Sequence, residues 1–253
     1  LHDDAAAAAW AAHMEAAASA LVRRDAALLR ERGDGLCAKV RTLTTMEGLG
    51  LSLPALLDLS RSGLAAADVD VAATLLRALP SLAGVRVLIL SGNQCGDAGV
   101  MALADATSHG ALAQLERLFL DNVLLGDTGA AELAHALGAG ALPRLSFLDL
   151  TRNQLTDAGA AALAGAIERG ALSQLRTLYL YNNRVGSAGL AALVGALASA
   201  SAGAPPPLER LYVDNNQVGE EGVLALTKAV DGGLLPSLRI LHISGNPVRP
   251  EVV

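Results

Sequence analysis

The sequence predicts an α/β solenoid, in which a short strand and a helix alternate along the chain and the strands stack into one parallel sheet. Three observations predict this fold. A nine-residue pattern, L-x-x-L-x-L-x-x-N, recurs at nearly constant spacing. Its paired leucines alternate with period two, as in a strand. Each copy is followed by an Ala- and Leu-rich segment with helical spacing, and one such unit can bury its apolar side only against its neighbours.

The copies are regularly spaced. Six clear ones begin at residues 85, 115, 145, 175, 208 and 238, and a weaker one begins near residue 54. The spacing is 30 residues, except for one step of 33 that contains the insert Ala-Pro-Pro-Pro at residues 204–207. The final Asn is expected to bond backbone groups where each strand ends, and it is present as Asn93, Asn153, Asn183, Asn216 and Asn246. Val123 takes this position in the copy at 115, with Asn122 one residue earlier.

The repeat that begins at residue 145 illustrates the expected unit. Leu148 and Leu150 face the core, and Asp157 is expected to cap the helix that follows. A small residue near the helix start is expected to let each helix lie close to the strand of its own repeat. The expected helix caps of the other repeats are Asp97, Asp127, Ser187 and Glu220. The recurrent glycines near the helix start are Gly99, Gly129, Gly159, Gly189 and Gly222. The glycines expected to end the helices in the left-handed conformation are Gly110, Gly140, Gly170 and Gly233.

The segment that begins at Leu175 reads Leu-Arg-Thr-Leu-Tyr-Leu-Tyr-Asn-Asn-Arg-Val-Gly-Ser-Ala-Gly-Leu-Ala-Ala-Leu. It resembles the leucine-rich repeats of the ribonuclease-inhibitor-like subfamily, and the resemblance covers about residues 54–253. This implies a horseshoe with the parallel sheet on the concave face and the helices on the convex face. The subfamily includes enzyme inhibitors, NOD-like immune receptors and the GTPase-activating protein for Ran. The resemblance therefore implies binding of proteins through the concave face and its rims, but no one activity.

The two ends depart from the repeat. Residues 1–53 do not fit the pattern, and residues 4–32 are predicted to form one long helix followed by a linker. Trp10 and Met14 lie on the apolar stripe of this helix. Two interpretations stay open: a helical cap over the first repeat, or a docking helix with Trp10 as its anchor. No helix follows the last predicted strand, so we expect the natural chain to continue there or a partner to cover that end.

Composition narrows the class of protein. The net charge is −6 with 19 Lys and Arg residues and no extended basic run, which argues against nucleic-acid binding. Two cysteines are too few for a disulfide framework, so a reducing, intracellular compartment is expected, with the cytoplasm as the default and an organelle as the alternative. Cys95 occupies a core position of its repeat. The Ala-rich stretch at residues 5–22 is not expected to span a membrane.

No catalytic motif is recognisable. The five histidines do not cluster in the sequence, and no Cys/His group has the spacing of metal ligands. No residues match the active site of the Ran GTPase-activating protein one by one. We therefore expect a non-enzymatic chain without cofactor or metal.

The aromatic residues carry the functional signal. Both Phe residues and all three Tyr residues fall at strand positions that are predicted to face outward: Phe119, Phe147, Tyr179, Tyr181 and Tyr212. His242 continues this row in the last repeat. Aromatic side chains favour strands in general, but that preference does not explain their absence from the predicted core. A partner-binding surface does. The flanking charges include Arg117, Asp149, Arg152, Arg176, Arg210 and Asp214, and those assigned to the binding surface are Asp149, Arg152, Arg176 and Asp214.

The expected function is protein–protein interaction, as an accessory or scaffold subunit of a hetero-complex. Two alternatives remain open from the sequence. The chain could regulate one enzyme or GTPase, as an inhibitor or a Ran-type GTPase-activating protein. It could also be the repeat segment of an NOD-like receptor, which requires a nucleotide-binding domain upstream of Leu1.

Overall fold

The computed structural model describes residues 55–78, 80–199 and 206–248. The predicted N-terminal helix and linker, with Trp10 and Met14, lie outside the described residues. The proposed boundary between residues 1–53 and 54–253 therefore stays a prediction.

Strands and helices alternate through the whole described part of the chain. The strands are β1 (Leu56–Asp58), β2 (Val87–Ile89), β3 (Arg117–Phe119), β4 (Phe147–Asp149), β5 (Thr177–Tyr179), β6 (Arg210–Tyr212) and β7 (Ile240–His242). The helices are α1 (Ala66–Ala78), α2 (Gly96–Ser108), α3 (Asp127–Gly138), α4 (Asp157–Glu168), α5 (Ser187–Ser199) and α6 (Glu220–Asp231), with a short 3-10 helix at Pro80–Gly84. At 12 or 13 residues, none of these helices reaches the length needed to cross a bilayer.

The strands form one parallel sheet in chain order, from β1 to β7. Equivalent leucines pair across it, as in Leu118↔Leu148 and Leu178↔Leu211. The second pair spans the 33-residue step, so the insert is absorbed before β6 and does not shift the register. This confirms the predicted fold class, an α/β leucine-rich-repeat horseshoe with the sheet on its concave face.

The strands are shorter than the repeat pattern suggests. Each has three residues, because the chain turns three positions after the strand end at a residue with positive φ, such as Asn122 at 53° or Arg152 at 54°. Backbone bonding nevertheless continues past the strand ends. The N–H of Leu120 donates to the carbonyl of Asp149, and that of Asn122 to Thr151, both at 2.9 Å. The exposed face is therefore wider than the strands themselves.

The core is one continuous stack of aliphatic side chains. Leu118, Leu148, Leu155 and Leu163 are at most 1% exposed, and equivalents recur in every repeat. Cys95 is a buried member of this core, as its position predicts. Burial raises the pKa of its thiol. At β7, by contrast, Leu241 is 37% exposed, because no further described strand stacks on it.

The predicted Asn ladder joins neighbouring repeats. The amide oxygen of Asn153 accepts from the N–H groups of Val123 and Leu125 at 3.2 and 3.0 Å. Its amide nitrogen donates to the carbonyls of Leu120 and Leu150 at 2.7 and 3.0 Å. One buried side chain therefore satisfies backbone groups of two repeats, and Asn93, Asn183, Asn216 and Asn246 bond in the same way.

The repeat that carries Val123 departs from this pattern. Asn122 is an exposed turn residue with positive φ, in the position of Asn182 and Asn215, so it does not replace the missing amide. The preceding turn is rearranged instead. Gly96 adopts a φ of +57° and donates its N–H to the carbonyl of Val123 at 2.8 Å, whereas Gly126, the equivalent residue of the next repeat, is extended.

The helix caps differ from the prediction. Asp157 is the first residue of α4, and the cap is Thr156, whose hydroxyl accepts from the N–H of Ala158. The carboxylate of Asp157 instead accepts from the N–H groups of Gly186 and Gly189 at 2.6 and 2.8 Å. It thus caps the start of the next helix. Asp127 does the same for α4, Asp97 bonds the N–H of Gly126 before α3, and Ser187 bonds that of Gly219 before α6.

This arrangement explains three of the recurrent glycines near the helix starts, Gly129, Gly159 and Gly189. A Cβ on Gly159 would lie 2.6 Å from Oδ1 of Asp127, and one on Gly189 would lie 2.6 Å from Oδ1 of Asp157. There the space is occupied by the cap of the preceding repeat, so the close approach lies between repeats. A Cβ on Gly99 or Gly222 would first meet Cys95 or Val218 of the same repeat, at 2.6 and 2.7 Å, which precede the helix and do not belong, as expected, to the strand. The predicted left-handed stops are confirmed, with φ of +89° at Gly110 and +84° at Gly140.

Replacing Gly159 with alanine tests the inter-repeat cap. The added Cβ displaces the Asp127 carboxylate from the helix start, so we expect the free energy of unfolding to fall by about 1–3 kcal/mol. Urea denaturation followed by circular dichroism measures the loss. Gly195→Ala is the matched control, because Gly195 is an exposed helix residue with open space around the added Cβ. Alanine there is expected to be neutral or stabilising by up to about 1 kcal/mol; equal losses in both variants would contradict the cap.

The buried Cys95 thiol predicts a difference in reactivity between folded and unfolded protein. In a Cys37→Ser variant, iodoacetamide should label Cys95 much more slowly in the folded protein than in denaturant at about pH 8, because the thiolate is the reactive form and burial disfavours it. Mass spectrometry of quenched time points gives both rates. Rapid labelling under native conditions would show that the core is open at this repeat.

Candidate binding surface on the concave sheet

Five rings form a continuous row across the outward face of the sheet. Ring centroids are 4.7 Å apart between Phe119 and Phe147, 5.2 Å between Phe147 and Tyr179, 4.4 Å between Tyr179 and Tyr212, and 4.6 Å between Tyr212 and His242. We call these five residues the aromatic column. The sequence placed all of them on the outward face, and the structure brings them into contact.

Strand register produces the column. Phe119, Tyr179, Tyr212 and His242 all occupy the residue between the two motif leucines. On β4 that position is Asp149, and the ring comes from Phe147 two residues earlier on the same face. The rings pack at angles of 38° and 68°, except for the nearly parallel stack of Tyr212 on His242. Such pairs contribute about 0.5–1.5 kcal/mol each, so the column is partly fixed before any partner binds.

The rings shield each other but remain accessible. Phe119, Phe147, Tyr179 and Tyr212 are half-buried, and the side chain of His242 is 53% exposed. Burial, and then the neighbouring Tyr212, raise the pKa of the Tyr179 hydroxyl. That hydroxyl therefore stays protonated at neutral pH and can donate a hydrogen bond.

Asp149 holds the column position of β4, in register with Phe119 and Tyr179, but its side chain is nearly buried. The residue is only 9% exposed, and its Oδ1 accepts from the N–H of Thr151 at 2.9 Å. Burial raises the pKa of its carboxyl group. This carboxylate shapes the turn after β4, and it offers a partner little surface.

Three of the other assigned residues, Asp214, Tyr181 and Arg152, lie at the end of the sheet where the strands finish. Asp214 bonds the N–H of Ser244 at 3.0 Å, and its Oδ1 lies 3.9 Å from Nδ1 of His242. Tyr181 is half-buried two residues past Tyr179. Arg152 has an exposed side chain on the turn, and its backbone N–H donates to the carbonyl of Tyr181 at 3.0 Å. Arg176 lies at the opposite end, where β5 begins.

The two edges of this face differ in charge. Asp121 and Asp214 follow the strands, together with Arg152. Where the strands begin, the arginines outnumber Glu116 and Glu209. Two of those arginines are paired: Arg86 with Glu116 at 3.3 Å, and Arg176 with Glu209 at 2.5 Å. The aromatic column separates the acidic edge from the basic one.

A cavity of about 300 Å³ opens on the basic side of the column. Arg117 and Arg210 line it together with Arg176, Tyr179 and Tyr212. The sequence placed Arg117 and Arg210 among the flanking charges but did not assign them to the binding surface. Their common position, two residues before an outward ring, is the signal that marks them. In the described part of the chain, no group of three or more His, Cys, Asp or Glu side chains could hold a metal ion.

Comparison with known proteins supports the repeat assignment. A family model described as Leucine Rich repeat matches residues 85–104 and 143–164. These two segments match leucine-rich repeats, which generally mediate protein–protein interaction. No curated protein matches the sequence.

Similar solved structures are remote. One is the ectodomain of the plant membrane receptor kinase GASSHO1/SCHENGEN3 from Arabidopsis thaliana, in complex with CASPARIAN STRIP INTEGRITY FACTOR 2, at 21% identity and a TM-score of 0.35. The match covers 65% of this chain and 16% of the receptor ectodomain. Another is an internalin from Listeria monocytogenes, at 16% identity and a TM-score of 0.38, which covers 69% of this chain and 52% of the internalin. The chain thus spans about a sixth and about half of these two proteins.

An Asp149→Asn variant tests whether burial of the Asp149 carboxylate costs stability. The amide oxygen can still accept from Thr151, while the buried charge is removed. Because the folded-state pKa is raised, the ionised carboxylate costs folding free energy at neutral pH, and that cost disappears as the pH falls through the folded-state pKa. We expect the variant to be at least as stable as wild type at pH 7, with the difference closing below about pH 4. Urea titrations at several pH values measure it; a variant less stable at every pH would contradict this account.

Proposed function

We propose that this chain is a non-enzymatic protein-interaction module that binds a protein partner through the aromatic column. One observation carries the proposal: five outward rings form an unbroken row, from Phe119 to His242, on the concave sheet. The described core is aliphatic, so the rings serve the surface and not the packing of the repeats.

Physical chemistry supports a recognition role for such a row. Tyr and Phe rings present a large area with little side-chain freedom to lose, which is why they are enriched in the centres of protein interfaces. Cross-strand pairing explains why adjacent rings touch, but pairing alone needs no row of five. The polar edges on either side of the column match the rim that surrounds an apolar interface centre.

We further propose that the chain acts as an accessory or scaffold subunit of a hetero-complex. Its repeats resemble those of the ribonuclease-inhibitor-like subfamily in spacing. The Asn amide and Asp carboxylate bonds between repeats hold the binding face rigid, so association costs little conformational entropy. Recovery of the endogenous chain as a free monomer from native lysate would count against the subunit role.

Tyr179→Ala combined with Tyr212→Ala tests the binding surface. The native partner is first defined by affinity purification and mass spectrometry with the wild-type chain, and affinities are then measured by interferometry. We expect the double variant to weaken binding by about 30-fold or more, as for interface hot spots. Its melting temperature should fall by only a few degrees, about what the loss of one or two ring contacts costs.

The control variant removes exposed apolar side chains from the helices. Met101→Ala with Leu224→Ala changes residues that are 38% and 51% exposed, away from the column, and should leave partner binding unchanged. A double tyrosine variant that binds normally but melts far lower would assign the rings to stability and overturn the proposal.

A further inference from the structure

The cavity beside the aromatic column has a defined floor and wall. Thr177, which is 4% exposed, lies at its base, and Tyr179 and Tyr212 form the side toward the column. Arg117 and Arg210 stand at its two ends, on β3 and β6. The cavity is therefore a short trough that crosses the strands at right angles.

The charges of these two arginines are uncompensated. Glu209 pairs with Arg176, but among the described residues Arg117 and Arg210 enter no ion pair, and both are exposed. No carboxylate is among the residues that line the trough. In a chain of net charge −6, two guanidinium groups without an ion pair at the two ends of one trough are a local positive site that favours an anionic ligand.

The spacing of the arginines matches an extended peptide. They hold equivalent register positions with Phe147 and Thr177 between them. Three strand intervals separate them by about 14 Å. A fully extended segment advances about 3.4 Å per residue, so its residues i and i+4 are separated by about the same distance and point to the same side. Residue i+2 then faces the sheet about 7 Å from either end, between the positions of Phe147 and Thr177.

We propose that the trough receives an extended acidic segment of the partner protein, whose carboxylates at positions i and i+4 pair with Arg117 and Arg210. This inference rests on the proposed function and names the chemistry of the partner. The guanidinium groups bind the two carboxylates, the side chain at i+2 enters the cavity, and the segment runs beside the rings of Tyr179 and Tyr212.

A protein segment fits the face better than a continuous polyanion. Asp121 and Asp214 lie across the column from the arginines, and they repel a phosphate backbone that runs over the sheet. Discrete carboxylates with neutral residues between them reach the arginines and avoid that repulsion. Planar guanidinium groups also match carboxylates in a two-point geometry.

The test uses the full chain and labelled synthetic peptides in fluorescence anisotropy. One peptide of about eleven residues alternates Glu with Ser, and its partner has Gln in place of Glu. Two further peptides carry only a pair of Glu residues, at i and i+4 or at i and i+3. We expect the alternating Glu peptide to bind about 10-fold or more tightly than the Gln peptide, and the i, i+4 pair to exceed the i, i+3 pair by about 5-fold.

Matched variants locate the site. Arg117→Gln with Arg210→Gln should weaken the Glu peptide by about 10-fold or more and abolish its preference for i, i+4 spacing. Arg169→Gln with Arg184→Gln removes the same charge from exposed positions outside the trough and should have little effect. Equal losses in both double variants, or the same affinity for Glu and Gln peptides, would overturn the inference.

Two further outcomes separate this inference from the proposed function. A native partner that depends on Tyr179 and Tyr212 but not on Arg117 and Arg210 overturns the acidic-segment inference and leaves the binding surface intact. A partner insensitive to all four changes overturns both. If a phosphoserine version of the peptide, or a single-stranded oligonucleotide, binds through these arginines far more tightly than the Glu peptide, the acidic-segment inference is overturned and the ligand group is phosphate.

Discussion

The fold depends on polar side chains that each repeat supplies to its neighbour. Asn153 bonds N–H and carbonyl groups of two repeats, and Asp127 caps the helix of the repeat after its own. Leucine burial supplies most of the driving force, but it is not directional. The amide and carboxylate bonds fix which backbone groups face each other. They therefore set the register of the sheet, and through it the position of every outward side chain.

The column and the trough follow from that register. Tyr179 lies beside Tyr212, and Tyr212 beside His242, because equivalent positions pair across the sheet. The same pairing sets the distance between Arg117 and Arg210. A rigid stack with aliphatic side chains inside leaves its outward positions free to vary, because those residues contribute little to packing. Recognition can thus be placed on the face without cost to the core.

The sequence was sufficient for the repeat, the strands and the outward direction of the rings, because period-two leucines and a fixed spacing define them. It was not sufficient for the caps. Asp157 stands where a helix cap belongs, yet its carboxylate reaches residues 29 and 32 positions later, and only the stacking of repeats brings those groups together. The placement of Arg117 and Arg210 at the two ends of one trough was missed for a similar reason, since these residues lie three strands apart and the proline insert separates them in the sequence. Burial of Asp149 depends on the turn that follows it, which the repeat pattern does not specify.

The turn at Gly96 has a consequence for how the molecule comes apart. Between the repeats at 85 and 115, no asparagine amide links the two units, and Gly96 bonds the carbonyl of Val123 in its place. In a linear array, cooperativity passes only through such nearest-neighbour junctions. Because this junction lacks the amide bonds that link the other repeats, we expect the array to open here first, with the amide hydrogens of the preceding repeats exchanging before those that follow. All five rings lie in the repeats that follow, so such opening would leave the aromatic column intact.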